Sequence, residues 1–161
     1  MADTNVNEEL NLDQKVTVKN IAGWSVGFAR IDGIGDVTIT AEGSTRLSRN
    51  EIISQVQNGN RLFTGTDGNG SHATLYIDDV PTRKEIGFDS EDGKDKQVVF
   101  NDAVITKVFA LKTQSAFEKN LAEIIQTRAE KYAVIQAIKR LKINDYSKIR
   151  FVEDYTGFKV Q

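Results

Sequence analysis

In residues 15–80, apolar and polar side chains alternate in short runs that are separated by turn-forming residues. Val16 and Val18, for example, alternate with Thr17 and Lys19. Alternation with a period of two is typical of a strand that places one face on a core. The runs that predict strands lie at residues 16–19, 24–29, 37–40, 61–64 and 73–78. We expect the first three to form an antiparallel meander and the last two to form a hairpin around Asp-Gly-Asn-Gly at 67–70.

A change of period within this half predicts one embedded helix. Ser48 is placed to cap its start, and Glu51 three residues later completes a capping box. Leu47 and Ile52 are spaced as a hydrophobic staple, and Gly59 suits the left-handed position that closes a helix. A helix of about three turns is marginal alone, so we expect it to lie on the sheet. A small barrel or a strongly curled sheet would hide the strand edges.

Helical spacing dominates the last third of the chain. Asn101 is a favourable N-cap for a helix over residues 102–112. Two further capping boxes begin at Ser115 and Thr127, which favours a break near Gln126. One continuous bent helix is the alternative, because no glycine or proline enforces the break. Asn144 is the expected cap of the last helix, and Gly157 its end.

These patterns predict an α+β fold in four parts. Residues 1–14 are polar and acidic, which indicates a flexible N-terminal arm. Residues 15–80 form the β-rich domain, and residues 81–96 a charged loop or linker. Residues 97–161 form a mainly helical domain, entered by a strand over residues 97–100.

Composition narrows the function classes. The chain of 161 residues has no cysteine and a net charge of -2. A disulfide framework and a thiolate metal site are therefore excluded. No apolar run approaches the roughly 20 residues that span a bilayer, and no signal peptide is recognisable, so we expect no membrane partner. No global basic field attracts nucleic acid.

Candidate catalytic and metal-binding residues are few. His72 is the only histidine and falls in the polar register of a predicted strand, where we expect it to be exposed. The acidic residues Asp89, Glu91, Asp92 and Asp95 miss the spacing of a calcium loop, because Gly93 comes one position early. The paired glycines at 33 and 35, and at 68 and 70, lack the continuation of a phosphate-binding loop. We therefore expect no catalytic residue, no metal and no cofactor.

A local excess of positive charge lies at the junction of the last two predicted helices. It comprises Lys139, Arg140, Lys142, Lys148 and Arg150. These side chains are candidates for contacts with nucleic-acid phosphates. Cations are also common near the C-terminus of a helix, where they offset its dipole. Two aromatic residues near the end of the chain, Tyr146 and Phe158, are candidates for binding a partner, or for packing within the domain.

Three stretches carry a resemblance to a known class of proteins: VTVKN at 16–20, SVGFARI at 25–31 and LKINDYSKIRFVEDYTGFKV at 141–160. In these stretches the chain resembles small proteins that are encoded among the structural genes of tailed bacteriophages. The shared ending is matched by Asn144, Asp145, Lys148, Thr156, Gly157, Phe158 and Val160. The chain departs from the pattern at Gln126-Thr127, where a proline is expected, and in the charged stretch 79–96.

The resemblance implies a virion-associated protein that assembles in the host cytoplasm, and it assigns no functional residue. We expect a non-enzymatic capsid auxiliary protein or head–tail connector subunit that acts through subunit–subunit binding, as a homo-oligomer in the assembly. The alternative is a small nucleic-acid-binding or regulatory module that uses the basic residues from Lys139 to Arg150.

Overall fold

The structure, a computed structural model, describes residues 10–90 and 100–160. The first nine residues of the predicted arm, the predicted strand residues 97–99 and the acidic residues Glu91, Asp92 and Asp95 lie outside the described residues. Within them the strands are β1 (Lys15–Asn20), β2 (Val26–Ala29), β3 (Asp36–Ile39), β4 (Ser44–Ser48) and β5 (Leu75–Asp78). The helices are α1 (Arg49–Gln57), α2 (Arg61–Thr64), α3 (Val80–Glu85), α4 (Asp102–Phe109), α5 (Gln114–Ile124), α6 (Arg128–Arg140) and α7 (Tyr146–Thr156). The α+β class is confirmed.

The strands form two antiparallel sheets. β1 is central in a three-stranded sheet of order β4-β1-β5, and β2 pairs only with β3. The predicted meander is therefore wrong at its first step, because both edges of β1 are taken by β4 and β5. The two sheets share one apolar core with α1 and α2. No closed barrel is formed by the strands of the described residues.

Where the two sheets separate, the buried side chain of Asn20 ties them together. Its amide nitrogen donates to the carbonyl of Trp24 at 2.9 Å and to that of Thr40 at 3.1 Å. Its amide oxygen accepts from the N–H of Ala22 at 2.9 Å. Asn20 therefore satisfies backbone groups that have no partner in either ladder.

Two strand predictions in this half are wrong. Residues 61–64 form helix α2, which Asn60 caps by accepting from the N–H of Leu62. Four residues are too few to separate a period of two from a helical turn. Strand β4 was missed because only Leu47 among its residues is buried, so the edge strand carries little alternation.

Helix α1 begins at the predicted N-cap, but Glu51 has a different role from the predicted one. The hydroxyl of Ser48 accepts from the N–H of Glu51 at 3.1 Å, so Ser48 is the N-cap. Leu47 and Ile52 are both buried in the β core. Gly59 lies at φ 77°, the left-handed conformation expected after the helix. The Glu51 carboxylate does not return to the cap, however, and instead accepts hydrogen bonds from the backbone of another loop.

Within the described residues, parts of two stretches that were predicted to lack structure make ordered hydrogen bonds. In the predicted arm, the carbonyls of Leu12 and Gln14 accept from the first turn of α1. In the predicted loop 81–96, the structure has helix α3, with Asp79 as N-cap and Pro81 in the first turn. Asp79 and Pro81 are both favourable signals for a helix start. The helix was not predicted because the charged residues around them leave no clear apolar periodicity.

The helical half has its own core, built around buried residues of α4 to α7. The caps Asn101 and Thr127, the latter with a full capping box, and the break between α5 and α6 are confirmed. Gly157 ends α7 at φ 80°. Two predicted caps are displaced by a residue or two: Thr113 caps α5 and Asp145 caps α7.

Candidate interaction sites

Helix α6 joins the two halves through three side chains in its first turns. Arg128 lies with its guanidinium carbon 5.8 Å from the ring centre of Trp24. Glu130 binds His72, and Tyr132 binds Glu42. Because Trp24, Glu42 and His72 all belong to the β half, the first turns of α6 position the two cores relative to each other.

The pairing of His72 with Glu130 corrects the prediction that His72 is exposed on a strand. His72 lies in a turn before β5 at φ 59°, and its side chain is only 7% exposed. Its Nδ1 lies 2.9 and 3.0 Å from the two carboxylate oxygens of Glu130. One of these oxygens also accepts from the N–H groups of Gln126 and Thr127 at the start of α6. One buried carboxylate thus caps a helix and joins the halves.

Tyr132 makes a second polar link between the halves and also packs against the β half. Its hydroxyl donates to the Glu42 carboxylate at 3.1 Å. Desolvation, and then the hydrogen bond to this anion, raise the pKa of Tyr132 above its usual 10.0. Its ring lies over Gly23, where a Cβ would come within 2.4 Å of a ring carbon. Glycine at this position therefore permits the approach.

The contacts of Arg128, Glu130 and Tyr132 with the β half form what we call the joint. A cleft of about 470 Å3 opens between the halves beside it. Its walls are the end of β1, the loop into β4, a side chain of β5, and the facing residues of α4 and α6. The lining combines the apolar and aromatic side chains of Ile21, Tyr76, Phe100 and Ala133 with polar and charged ones, among them Lys19 and Ser44.

Charges of both signs surround the cleft. Lys19 pairs with Asp78 at 3.3 Å, and Arg140 pairs with Asp102 at the start of α4. These pairs are about half exposed, so each contributes little to stability and remains accessible to a partner. Glu42 adds an anion on the side of Tyr132. The cleft can therefore accept an apolar group whose neighbours carry both charges.

The loop between β2 and β3, residues 30–35, is the most exposed apolar feature of the described chain. We call it the hairpin loop. Ile34 at its tip is 96% exposed, and Ile31 is 45% exposed. Gly33 and Gly35 flank Ile34 at φ 137° and 101°, which only glycine adopts without strain. The tip therefore presents a single apolar side chain whose two neighbours in the chain have no side chain.

Glu51 holds the base of the hairpin loop. Its carboxylate accepts from the N–H groups of Ile31 at 3.0 Å and Asp32 at 2.8 Å, and from the Gln55 amide at 2.7 Å. Burial alone would raise the pKa of Glu51, but the hydrogen bonds from Ile31, Gln55 and Asp32 outweigh it and hold this pKa below its usual 4.5. The loop is thus fixed by a buried anion in α1.

The structure separates the five predicted phosphate contacts. The amine of Lys148 is buried and donates to the carbonyls of Phe109 at 2.7 Å and Leu111 at 2.6 Å, at the end of α4. Arg140 is paired with Asp102, and Arg150 donates to the hydroxyl of Tyr146 at 3.1 Å. Lys139 and Lys142 are exposed.

The two predicted partner-binding aromatics differ in exposure. Tyr146, in the first turn of α7, is 71% exposed. Phe158 packs edge-to-face on Tyr132 at 6.4 Å between ring centres, and its ring also receives the guanidinium of Arg128. Phe158 therefore contributes to the joint between the halves.

Residues 10–90 and 100–160 offer little other candidate chemistry. No group of three or more acidic, histidine or cysteine side chains is placed to hold a metal ion. No helix there is long and apolar enough to cross a membrane. Gly68 and Gly70 lie in the turns after α2, with an Asp67 carboxylate accepting from Asn69 and Ser71.

Sequence reasoning missed both the cleft and the hairpin loop as sites. The loop did carry a signal, because an isoleucine between two glycines in a turn has no neighbouring core to join. The cleft carried none, because its walls come from residues as distant as Lys19 and Arg140.

Comparison of the chain with protein-family models, with curated proteins and with solved structures finds no match. The geometry of the described residues and the sequence itself are therefore the basis for a proposal about function.

Proposed function

We propose that this protein is a non-enzymatic structural component of a tailed-phage particle, a capsid auxiliary protein or head–tail connector subunit that binds neighbouring subunits. The observation that carries the proposal is the hairpin loop. A loop that is fixed at its base by a buried carboxylate and exposes an isoleucine almost completely is suited to docking rather than to chemistry.

The joint between the halves supports the same function. The contacts of Arg128, Glu130 and Tyr132 hold two cores in one orientation. A particle component transmits load between neighbours, and a fixed orientation suits that task.

The phage-like ending supports it through structure. Asp145 caps α7, Lys148 binds the end of α4, Gly157 closes α7, and the N–H of Val160 donates to Glu153. Four of the residues that carry the resemblance therefore determine how the end of the chain is built.

A binding assay tests the proposal. Purified protein is mixed with phage heads or connector rings that lack it, and the mixture is sedimented. We expect saturable co-sedimentation, with an acidic protein of similar size and charge as the control. Protein that stays in the supernatant at every concentration, with heads and with connectors, would contradict the proposal.

A further inference from the structure

The exposed isoleucine of the hairpin loop has a free-energy reason to be covered. Ile34 is 96% exposed, and burying a side chain of this size is worth about 1.5–3 kcal/mol. Isolated exposed apolar residues are common, but this one stands at the tip of a projecting loop between two glycines. No bulky neighbour therefore hinders its entry into a recess.

The loop is ordered before it binds. The N–H of Arg30 donates to the carbonyl of Gly35 at 2.9 Å, which closes the loop. Glu51 holds Ile31 and Asp32 from below. Binding through a loop that is already ordered loses little conformational entropy, so even a small contact retains most of its favourable free energy.

The cleft matches this loop in size and polarity. Ile21, Phe100 and Ala133 give it apolar walls, and its volume of about 470 Å3 admits an aliphatic side chain with its flanking glycines. Both surfaces carry charges of both signs, which can pair across a contact. On one side these are Arg30 and Asp32 of the hairpin loop and Asp36, the first residue of β3. On the other side are the cations Lys19 and Arg140 and the anions Glu42 and Asp102 of the cleft.

The loop and the cleft lie at opposite ends of the same hairpin. Asn20, which lines the cleft, binds the carbonyls of Trp24 and Thr40 at the open end of the β2–β3 pair. The hairpin loop is the closed end, about 13 Å away along four strand residues. The hairpin loop cannot reach the cleft of its own chain, so it can enter such a cleft only on a second copy.

We infer that Ile34 of one copy inserts into the cleft of the next copy, so that copies of this chain associate head to tail. Such an interface is heterologous and builds a ring or an open chain, depending on whether the rotation closes. The inference rests on the proposed function and deepens it, because it names the surface and the partner. One loop in one cleft is smaller than a standard interface, so we expect weak association that many copies reinforce.

Cysteine cross-linking tests the contact directly, because the chain has no cysteine of its own. Ile34→Cys places a thiol on the tip, and Ser44→Cys places one in the cleft. Tyr146→Cys, on an exposed residue of α7 outside the cleft, is the matched control. The single variants are mixed in pairs, oxidised, and analysed by non-reducing electrophoresis and mass spectrometry.

We expect the 34–44 cross-link to form at least tenfold faster than the 34–146 cross-link. Equal rates would show random collision and overturn the inference, and so would a 34–34 cross-link that forms fastest, since it places tip against tip.

Sedimentation velocity at increasing concentration provides the second measurement. We expect the unmodified chain and Val80→Asp, a control at another exposed apolar residue, to sediment faster as concentration rises. Ile34→Asp should remain monomeric. An unmodified chain that stays monomeric throughout, or an Ile34→Asp variant that associates equally, would overturn the inference. If heads or connectors still bind the monomeric chain, the proposed function stands and only self-association fails.

Discussion

The position of the hairpin loop depends on the carboxylate of Glu51. It is 1% exposed and accepts three hydrogen bonds, two of them from the loop backbone. Glutamine has nearly the same shape but only one acceptor oxygen, so its amide group would face an N–H donor. Replacing Glu51 therefore removes a specific part of the support of the loop.

We expect Glu51→Gln to lower the free energy of unfolding at pH 7 by about 1.5–3 kcal/mol, as is typical for hydrogen bonds to a charged group. The pKa of Glu51 is lower in the folded than in the unfolded chain, so its contribution is complete above the unfolded value near 4.5 and is lost as the pH falls through the folded value. Denaturant unfolding between pH 7 and pH 3 should show the two proteins converging in acid.

Glu123→Gln is the matched control, because Glu123 is exposed on α5. It should track the unmodified chain across the same pH range. A Glu51→Gln deficit that is equally large at pH 3 would contradict this role of the carboxylate.

At this scale the sequence predicts partners poorly. Ser48 and Glu51 have capping-box spacing, but only the Ser48 half forms, because spacing does not show that a distant loop competes for the carboxylate. His72 was expected in solvent because the alternation around it suits a strand. The structure turns it toward Glu130, which lies 58 residues further along the chain.

Among the elements, α4 and α7 are held together by one buried amine. Lys148 of α7 donates to two carbonyls at and beyond the end of α4. Carbonyls at the end of a helix lack partners within the helix, so a cation there satisfies them and offsets the dipole.

We expect Lys148→Met to lower the free energy of unfolding by about 1–3 kcal/mol, because methionine keeps the apolar stem and leaves the carbonyls unpaired. Lys142→Met, at an exposed lysine six residues earlier, should change it by less than about 0.5 kcal/mol. Thermal unfolding of both variants provides the comparison. Unchanged stability of Lys148→Met together with weakened, salt-sensitive DNA binding would instead support a phosphate contact.

Several element boundaries were predictable from capping residues. Asn101 and Thr127 start their helices as predicted, and Gly157 ends the last one. Two predicted helix starts are displaced, since Thr113 caps in place of Ser115 and Asp145 in place of Asn144. Local spacing cannot rank such neighbours, because packing of the apolar face decides the helix start.

At the scale of the whole molecule, α6 makes two cores act as one body. Its contacts to Gly23, Glu42 and His72 link residues that are far apart in sequence. The cleft lies beside these contacts, so its shape depends on the joint.

We expect Gly23→Ala to destabilise the protein by about 1–3 kcal/mol, because the added methyl group overlaps the Tyr132 ring. Gly23 does not have a left-handed backbone, so alanine introduces no backbone strain. In a Tyr132→Ala background the same substitution should cost much less. A double-mutant cycle by denaturant unfolding measures this coupling. Equal costs in both backgrounds would contradict the contact.

The α+β fold class was predictable, because it follows from local period. Strand pairing was not, because β1 pairs with β4 and β5 across intervening elements. The cleft also escaped prediction, since Ile21, Phe100 and Ala133 meet only once the halves are joined.

Quantitative mass spectrometry of phage particles, purified from cells that produce this chain together with the phage, tests the proposed role in the virion most directly. The account predicts that the protein remains with particles through density-gradient purification, at a fixed copy number relative to the major capsid protein. A chain found only in the soluble fraction of the lysate, and absent from particles that are infectious, would contradict a structural role in the virion.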